Sequence, residues 1–232
     1  MPAAGVVVAG GRGERLGGEA KQFRELDGRP VVCWSARALL TSLAGPVVVV
    51  LPSDALTESE TRIRLHLGDA GDRLLFTAGG ARRQDSVRAG LELLPAQGTV
   101  LVHDAVRPFA SRALVESVAR EAVAGRCVVP GVSPADTLKR VTGDRVIETL
   151  DRSKLIAVQT PQGFPLALLA DAHAAWPADE EATDDAAICE RHGAPVAWIP
   201  GEAKNRKLTT ADDWSWAEGV IESGEVRWGG RG

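Results

Sequence analysis

The sequence predicts an α/β fold: an open, mostly parallel sheet with helices on both faces, plus a protruding β-hairpin arm. Three observations predict it. Apolar runs such as residues 46–51 lack polar alternation, so as strands they would be buried on both faces. Stretches with helical periodicity lie between them and supply the crossovers of a parallel sheet. The glycine-rich and charged motifs fall directly after strands, at the carboxyl edge where such sheets bind ligands.

The elements follow in order. Residues 5–9 are expected as the first strand. Pro30 opens a helix over 31–40, since its fixed φ suits a first helical turn. Strands are expected at 46–51, 74–77, 99–103, 126–130 and 195–199. Helices are expected at 57–67, 84–94, 112–124 and 166–176. A further helix begins at Thr183, a possible N-cap, and runs to His192. Thr209 or Thr210 caps the last helix, 211–222, whose Asp212 and Asp213 suit a positive N-terminus. Residues 136–141 and 145–150 flank the turn Thr142-Gly143-Asp144 and read as a polar hairpin within an arm at 134–152. A two-stranded hairpin is marginal alone in water, so it is either packed on something, such as a second subunit, or an ordinary surface feature. The tail 228–232 is expected to be loose.

Composition narrows the function. The 232 residues suit a single α/β domain, and 44% hydrophobic content supports a substantial core. A net charge of −4 argues against a general nucleic-acid binder. The cysteines Cys33, Cys127 and Cys189 are scattered and form no CxxC pair or metal-type cluster with histidine, so they read as reduced, buried core residues of a cytoplasmic protein. No leader pattern precedes the first strand, and no apolar run approaches the ~20 residues that span a membrane.

The first strand ends in Ala9-Gly10-Gly11-Arg12-Gly13-Glu14-Arg15-Leu16-Gly17, with Lys21-Gln22 close behind. Backbone N–H groups freed by glycine, with two cations, suit a polyphosphate. A dinucleotide fingerprint needs Gly-x-Gly-x-x-Gly and an acidic residue about 20 positions on. Here the last spacing is one residue too long and Asp54 comes too late. A P-loop needs a terminal Gly-Lys-Ser/Thr, which is missing. A nucleotidyltransferase loop fits every residue; a plain strand-to-helix turn with surface charges remains open on the glycines alone.

Further motifs follow in order: Gly79-Gly80-x-x-Arg83-Gln84-x-Ser86-Val87, His103-Asp104-Ala105-x-Arg107-Pro108, Asp136-Thr137-x-Lys139, Arg152, Gln159-Thr160-Pro161-Gln162, Thr183-Asp184 and Lys207. The ordered set resembles the 2-C-methyl-D-erythritol 4-phosphate cytidylyltransferase family across nearly the whole chain. The resemblance implies a nucleotidyltransferase-like, Rossmann-type sheet. It implies transfer of CMP from CTP to a sugar-alcohol phosphate in a non-mevalonate isoprenoid pathway, by a homodimer that uses Mg²⁺. A ribitol 5-phosphate cytidylyltransferase of the same fold is the alternative.

By this resemblance Gly11 and Gly13 wrap the triphosphate, while Arg15 and Lys21 stabilise charge as pyrophosphate leaves. Gly80 and Ser86 resemble the cytosine pocket, with Ala81 where relatives often carry an acid. Asp104, beside Ala105, faces either Mg²⁺ or the sugar hydroxyls. Arg152, reaching from the neighbouring subunit, and Lys207 aim the acceptor phosphate, and Thr183 is either an acceptor contact or a cap. Arg107 is expected to be structural, and His103 a packing residue, because a phosphate nucleophile needs no base. From its length the chain is expected to lack the fused downstream cyclase domain some relatives carry.

Overall fold

The structure, a computed structural model, describes residues 2–11, 20–68 and 71–229. The first half comprises β1 (Ala4–Val8), β2 (Glu25–Leu26), β3 (Arg29–Pro30), α1 (Val31–Ser42), β4 (Val47–Leu51), α2 (Leu56–Leu67), β5 (Leu74–Ala78), α3 (Arg83–Leu91) and β6 (Thr99–Asp104). The second half comprises α4 (Arg112–Val123), β7 (Cys127–Val132), β8 (Lys139–Thr142), β9 (Arg145–Thr149), β10 (Ala157–Val158), β11 (Gln162–Pro165), α5 (Leu166–Ala175), α6 (Asp185–Arg191), β12 (Val196–Pro200) and α7 (Ala211–Glu222). Two 3-10 turns, Lys21–Phe23 and Arg152–Lys154, carry expected site residues.

The main sheet has eight strands in the order β10-β7-β11-β6-β1-β4-β5, with β12 beside β7. β1 pairs in parallel with both β4 and β6. From β1 the chain builds first toward β5, then across to β6. That reversal opens a crevice at the carboxyl ends of β1 and its neighbours.

Strand side chains alternate between two buried faces, which is why the runs show no polar alternation. Val7, Val47, Val49 and Leu101 pack with Cys33 and Leu39 of α1, Ile63 of α2 and Val118 of α4. Val6, Val48, Val50 and Val102 pack with Val87 of α3, Leu169 of α5 and Ile188 of α6. A third cluster centres on Trp214 of α7, fully buried against Trp34 and Phe109. All three cysteines are free and buried.

The expected helices and strands form with ends shifted by up to a few residues. Besides the two-residue strands β2 and β3, two strands of the main sheet escaped the sequence pattern. β11 is antiparallel to both β6 and β7, and β10 is antiparallel to β7. Gln162-Gly163-Phe164-Pro165 is too short to show a period, and Gly163 lies against α4, where a Cβ would come 2.8 Å from Val118 Cγ1. Thr183 does not cap α6: Asp184 does, its Oδ1 accepting from Ala187 N–H at 2.9 Å while Gln162 donates to its Oδ2 at 2.8 Å. A carboxylate with a second anchor outcompetes the neighbouring hydroxyl. Thr210 caps α7 in a capping box with Asp213, as expected. The described part of the tail is pinned. Trp228 meets Trp34 edge-on with ring centroids 5.0 Å apart, and Arg29 and Arg37 stack on it. Residues 230–232 lie outside the described set.

β8 and β9 form the predicted hairpin, with Gly143 at φ 60° in its turn and a register shift between Arg140 and Val141. It leaves Val141, Val146 and Ile147 each more than half exposed. No helix among the described residues is long and apolar enough to cross a membrane.

Candidate active site

A cleft of about 670 Å³ opens at the crevice, lined by Gly10, Gly11 and Lys21 on one side and Gly79, Gly80 and Ser86 on another. Asp104, Ala105, Arg83 and Lys207 also line it. The loops after β1 and β5 interlock. A Cβ on Gly79 would sit 2.7 Å from Ser86 Oγ and 3.2 Å from Gly10 Cα, and one on Gly80 only 2.4 Å from Asp85 Cβ. Glycine is required there by close approach. Ser86 Oγ accepts from Gly80 N–H and donates to Arg82 O, both at 3.2 Å. Its proton is therefore engaged within the protein.

Asp104 ends β6 amid three cations. Lys207 Nζ lies 3.0 Å from Oδ2, and Arg107 Nε lies 3.5 Å from the same oxygen. Arg83 Nε lies 3.5 Å from Oδ1. Burial alone would raise the Asp104 pKa, but Arg83, Lys207 and Arg107 reverse that and hold it well below the usual carboxylate range. Arg107 also donates to Asn205 O at 2.8 Å, which bears out its structural reading.

Arg83 extends this cluster inward. Its Nη1 lies 2.7 Å from Oδ2 of the fully buried Asp185, whose Oδ1 lies 3.0 Å from His173 Nε2. Burial lowers the Arg83 pKa; Asp185 and Asp104 outweigh it and keep the guanidinium charged. On the flank, Gln84 donates to Glu180 O at 2.7 Å and accepts from Ala182 N–H at 2.8 Å, latching that loop to α3.

His103 is fully buried. Asp104 N–H donates to Thr160 Oγ1 at 3.0 Å, and Thr160 Oγ1 lies 3.0 Å from His103 Nδ1. His103 Nε2 lies 3.1 Å from Arg107 O. A neutral ring with its proton on Nε2 satisfies the whole chain. Burial pushes the His103 pKa from 6.5 down to about 4. The unfolded chain thus takes up this proton first as pH falls. The contribution is fully present above pH 6.5 and is lost progressively down to about pH 4. A loss of about 3 kcal/mol across that window is expected from the shift. Urea unfolding of the protein and of His103→Gln at several pH values checks it, since the variant should lack this component of the slope.

The structure brings Gly11, Lys21, Gly80, Ser86, Asp104, Ala105 and Lys207 to one cleft. Gly13 and Arg15 lie outside the described residues. Arg152 and Thr183 do not line this cleft in the single chain. Arg152 instead donates to Ala135 O at the root of the hairpin, and Thr183 is exposed. Sequence reasoning placed Arg83 and Gln22 in motifs without giving either a role, and it missed Asp185.

A Mg²⁺ that arrives with a nucleotide fits the donor set. Mg²⁺ commonly uses one or two carboxylates plus substrate phosphates, and Asp104 offers a carboxylate held ionised at the cleft. No cluster of three potential ligands occurs among the described residues.

Residues 3–223 match the family model for 2-C-methyl-D-erythritol 4-phosphate cytidylyltransferase. A bifunctional enzyme IspD/IspF of Solidesulfovibrio magneticus is 45% identical over 90% of this chain and 54% of its own length. The chain thus spans about half the length of such bifunctional relatives. A 2-C-methyl-D-erythritol 4-phosphate cytidylyltransferase of Geobacillus kaustophilus is 38% identical, covering 94% of this chain and 96% of its own. The crystal structure of the same-named enzyme from Thermus thermophilus aligns at a TM-score of 0.76 and 36% identity, over 94% of this chain and 98% of that one.

Proposed function

The chain belongs to the 2-C-methyl-D-erythritol 4-phosphate cytidylyltransferase family, and on that premise we propose that it transfers CMP from CTP to 2-C-methyl-D-erythritol 4-phosphate. The products are 4-CDP-2-C-methyl-D-erythritol and pyrophosphate. One observation carries this reading: an ionised carboxylate ringed by Arg83, Arg107 and Lys207 faces two interlocked glycine loops across a single cleft.

That arrangement suits a reaction needing no protein nucleophile. Gly10, Gly11 and Lys21 hold the triphosphate; by the family resemblance Gly13 and Arg15 join them, and Arg15 and Lys21 stabilise charge as pyrophosphate departs. Gly80 and Ser86 border the cytosine. Asp104 would hold Mg²⁺, which supplies charge neutralisation on the phosphates when bound. Lys207 aims the acceptor phosphate for in-line attack; Thr183, exposed and off the single-chain cleft, is an acceptor contact by the family resemblance alone.

In this reading the active form is a homodimer in the cytoplasm, and the arm at 134–152 carries Arg152 into the neighbouring site. The exposed Val141, Val146 and Ile147 supply the apolar surface that docking needs. Pyrophosphate release with each acceptor tests the reaction. Turnover with methylerythritol phosphate is expected; turnover only with ribitol 5-phosphate would replace this acceptor by that one, and release with neither would sink the reading.

A further inference from the structure

Gln22 is a buried side chain at the cleft with no role in the reaction described above. It sits in the 3-10 turn that also carries Lys21. Its Nε2 donates to Ala9 O at 2.8 Å and to Gly11 O at 2.7 Å. Both amide protons are therefore spent on two carbonyls of one glycine loop, on either side of Gly10.

The consequence follows from peptide geometry. In a trans peptide the C=O and the next N–H point in opposite directions. Turning Ala9 C=O toward Gln22 turns Gly10 N–H away from it. That N–H has no hydrogen-bond partner among the described residues, and Gly10 lines the cleft. Glycine on its own would let this peptide flip at little cost. Ala9 N–H is meanwhile held by Val50 O at 2.8 Å, so the strand end is fixed and the freedom begins at Gly10. The same side chain fastens the loop to the turn bearing Lys21, whose Nζ donates to Thr209 O at 2.6 Å. Loop and cation are thus held in one frame.

We propose that Gln22 is a positioning residue for the polyphosphate: by clamping Ala9 O and Gly11 O it presents Gly10 N–H and Lys21 to the nucleotide's phosphates, while leaving the acceptor side untouched. This rests on the reading of the cleft as a nucleoside triphosphate site. Gln22→Met keeps the bulk and removes both donors. Gln22→Glu keeps the shape and sets a carboxylate against two carbonyl oxygens. Gln22→Asn keeps the donors on a shorter stem that reaches one carbonyl.

The test measures binding of inorganic tripolyphosphate by calorimetry and steady-state KM for CTP and for the acceptor, each with Mg²⁺. Gln22→Met is expected to raise the tripolyphosphate Kd and the KM for CTP about tenfold, the usual scale for lost charge-assisted contacts, with the acceptor KM within about twofold. Gln22→Glu is expected to be worse than Gln22→Met, and Gln22→Asn to fall between Gln22→Met and the unaltered protein. Tripolyphosphate binding unchanged in Gln22→Met would overturn the proposal. So would equal losses for CTP and acceptor, which would mark Gln22 as merely structural. If Gln22→Met does not fold, the ranking of the Glu and Asn variants decides by the same criteria. A protein that binds tripolyphosphate yet turns over no acceptor sinks the assigned reaction and leaves the clamp to be judged on binding.

Discussion

Replacing Lys21 by Ala is expected to lower kcat about 10²- to 10³-fold, the usual cost of removing one preorganised group that stabilises developing charge. The acceptor KM should change little. Stability should also be nearly unaffected, because Lys21 is only half-buried and gives up one bond to the Thr209 carbonyl. Pyrophosphate-release kinetics check the rate, and thermal melting checks the fold. Full activity would remove Lys21 from catalysis. The variant also tests the proposed sharing of the site between subunits. Arg152→Ala should be impaired on its own, yet mixing it with Lys21→Ala should restore activity. Random reassortment makes about half of the dimers mixed, each with one intact site, so about a quarter of normal activity is expected. No recovery in subunits proven to exchange would place Arg152 and Lys21 in the same chain's site.

The second large effect is on stability. Asp185 is fully buried between Arg83 and His173. Asp185→Asn keeps the shape and leaves Arg83 facing a neutral amide in the interior. Breaking a buried pair by removing one partner typically costs about 3–5 kcal/mol, and a loss near the lower end is expected because the amide oxygen still accepts a hydrogen bond. The effect should depend on pH. Burial raises the Asp185 pKa, but Arg83 and His173 outweigh it and lower it below its ordinary 3.8. The carboxylate's contribution is thus present above the unfolded value and is lost as pH falls through the lowered one. Urea unfolding at neutral pH should separate the two proteins clearly, and the gap should narrow in strong acid. An unchanged midpoint at neutral pH would show that the charge of Asp185, beside Arg83 and His173, contributes nothing to stability.

The main strands were legible because residues buried on both faces leave an unbroken apolar signature, as in Val47–Leu51. Gly79 and Gly80 were legible because close approach of their neighbours admits no side chain there. β11 was not legible: at four residues it is too short for a period, and its pairing with β6 is set by tertiary packing. Arg83 shows a different limit. Its partner Asp185 lies 102 positions away, and nothing local marks one of the chain's many arginines as the one that enters the interior. Gln22 was half legible, since its neighbour Lys21 drew attention to the turn, but a clamp on two carbonyls leaves no trace in residue type. Thr183 and Asp184 are both good caps, and only the contact from Gln162 decides between them.

The arm leaves the sheet and returns to it at one place. Val132 at the end of β7 pairs with Ala157 at the start of β10, and Gly131 pairs with Val158. Everything between is an excursion whose two roots are stitched side by side. Lengthening such an excursion is cheap, about 0.6 kcal/mol for each doubling, and it leaves the strand pairing intact. In the homodimer proposed above, the stretch that would meet a neighbour is therefore insulated from the frame of the cleft. A change of length in this one segment should therefore alter the proposed subunit contact while leaving the frame around Asp104 as it is.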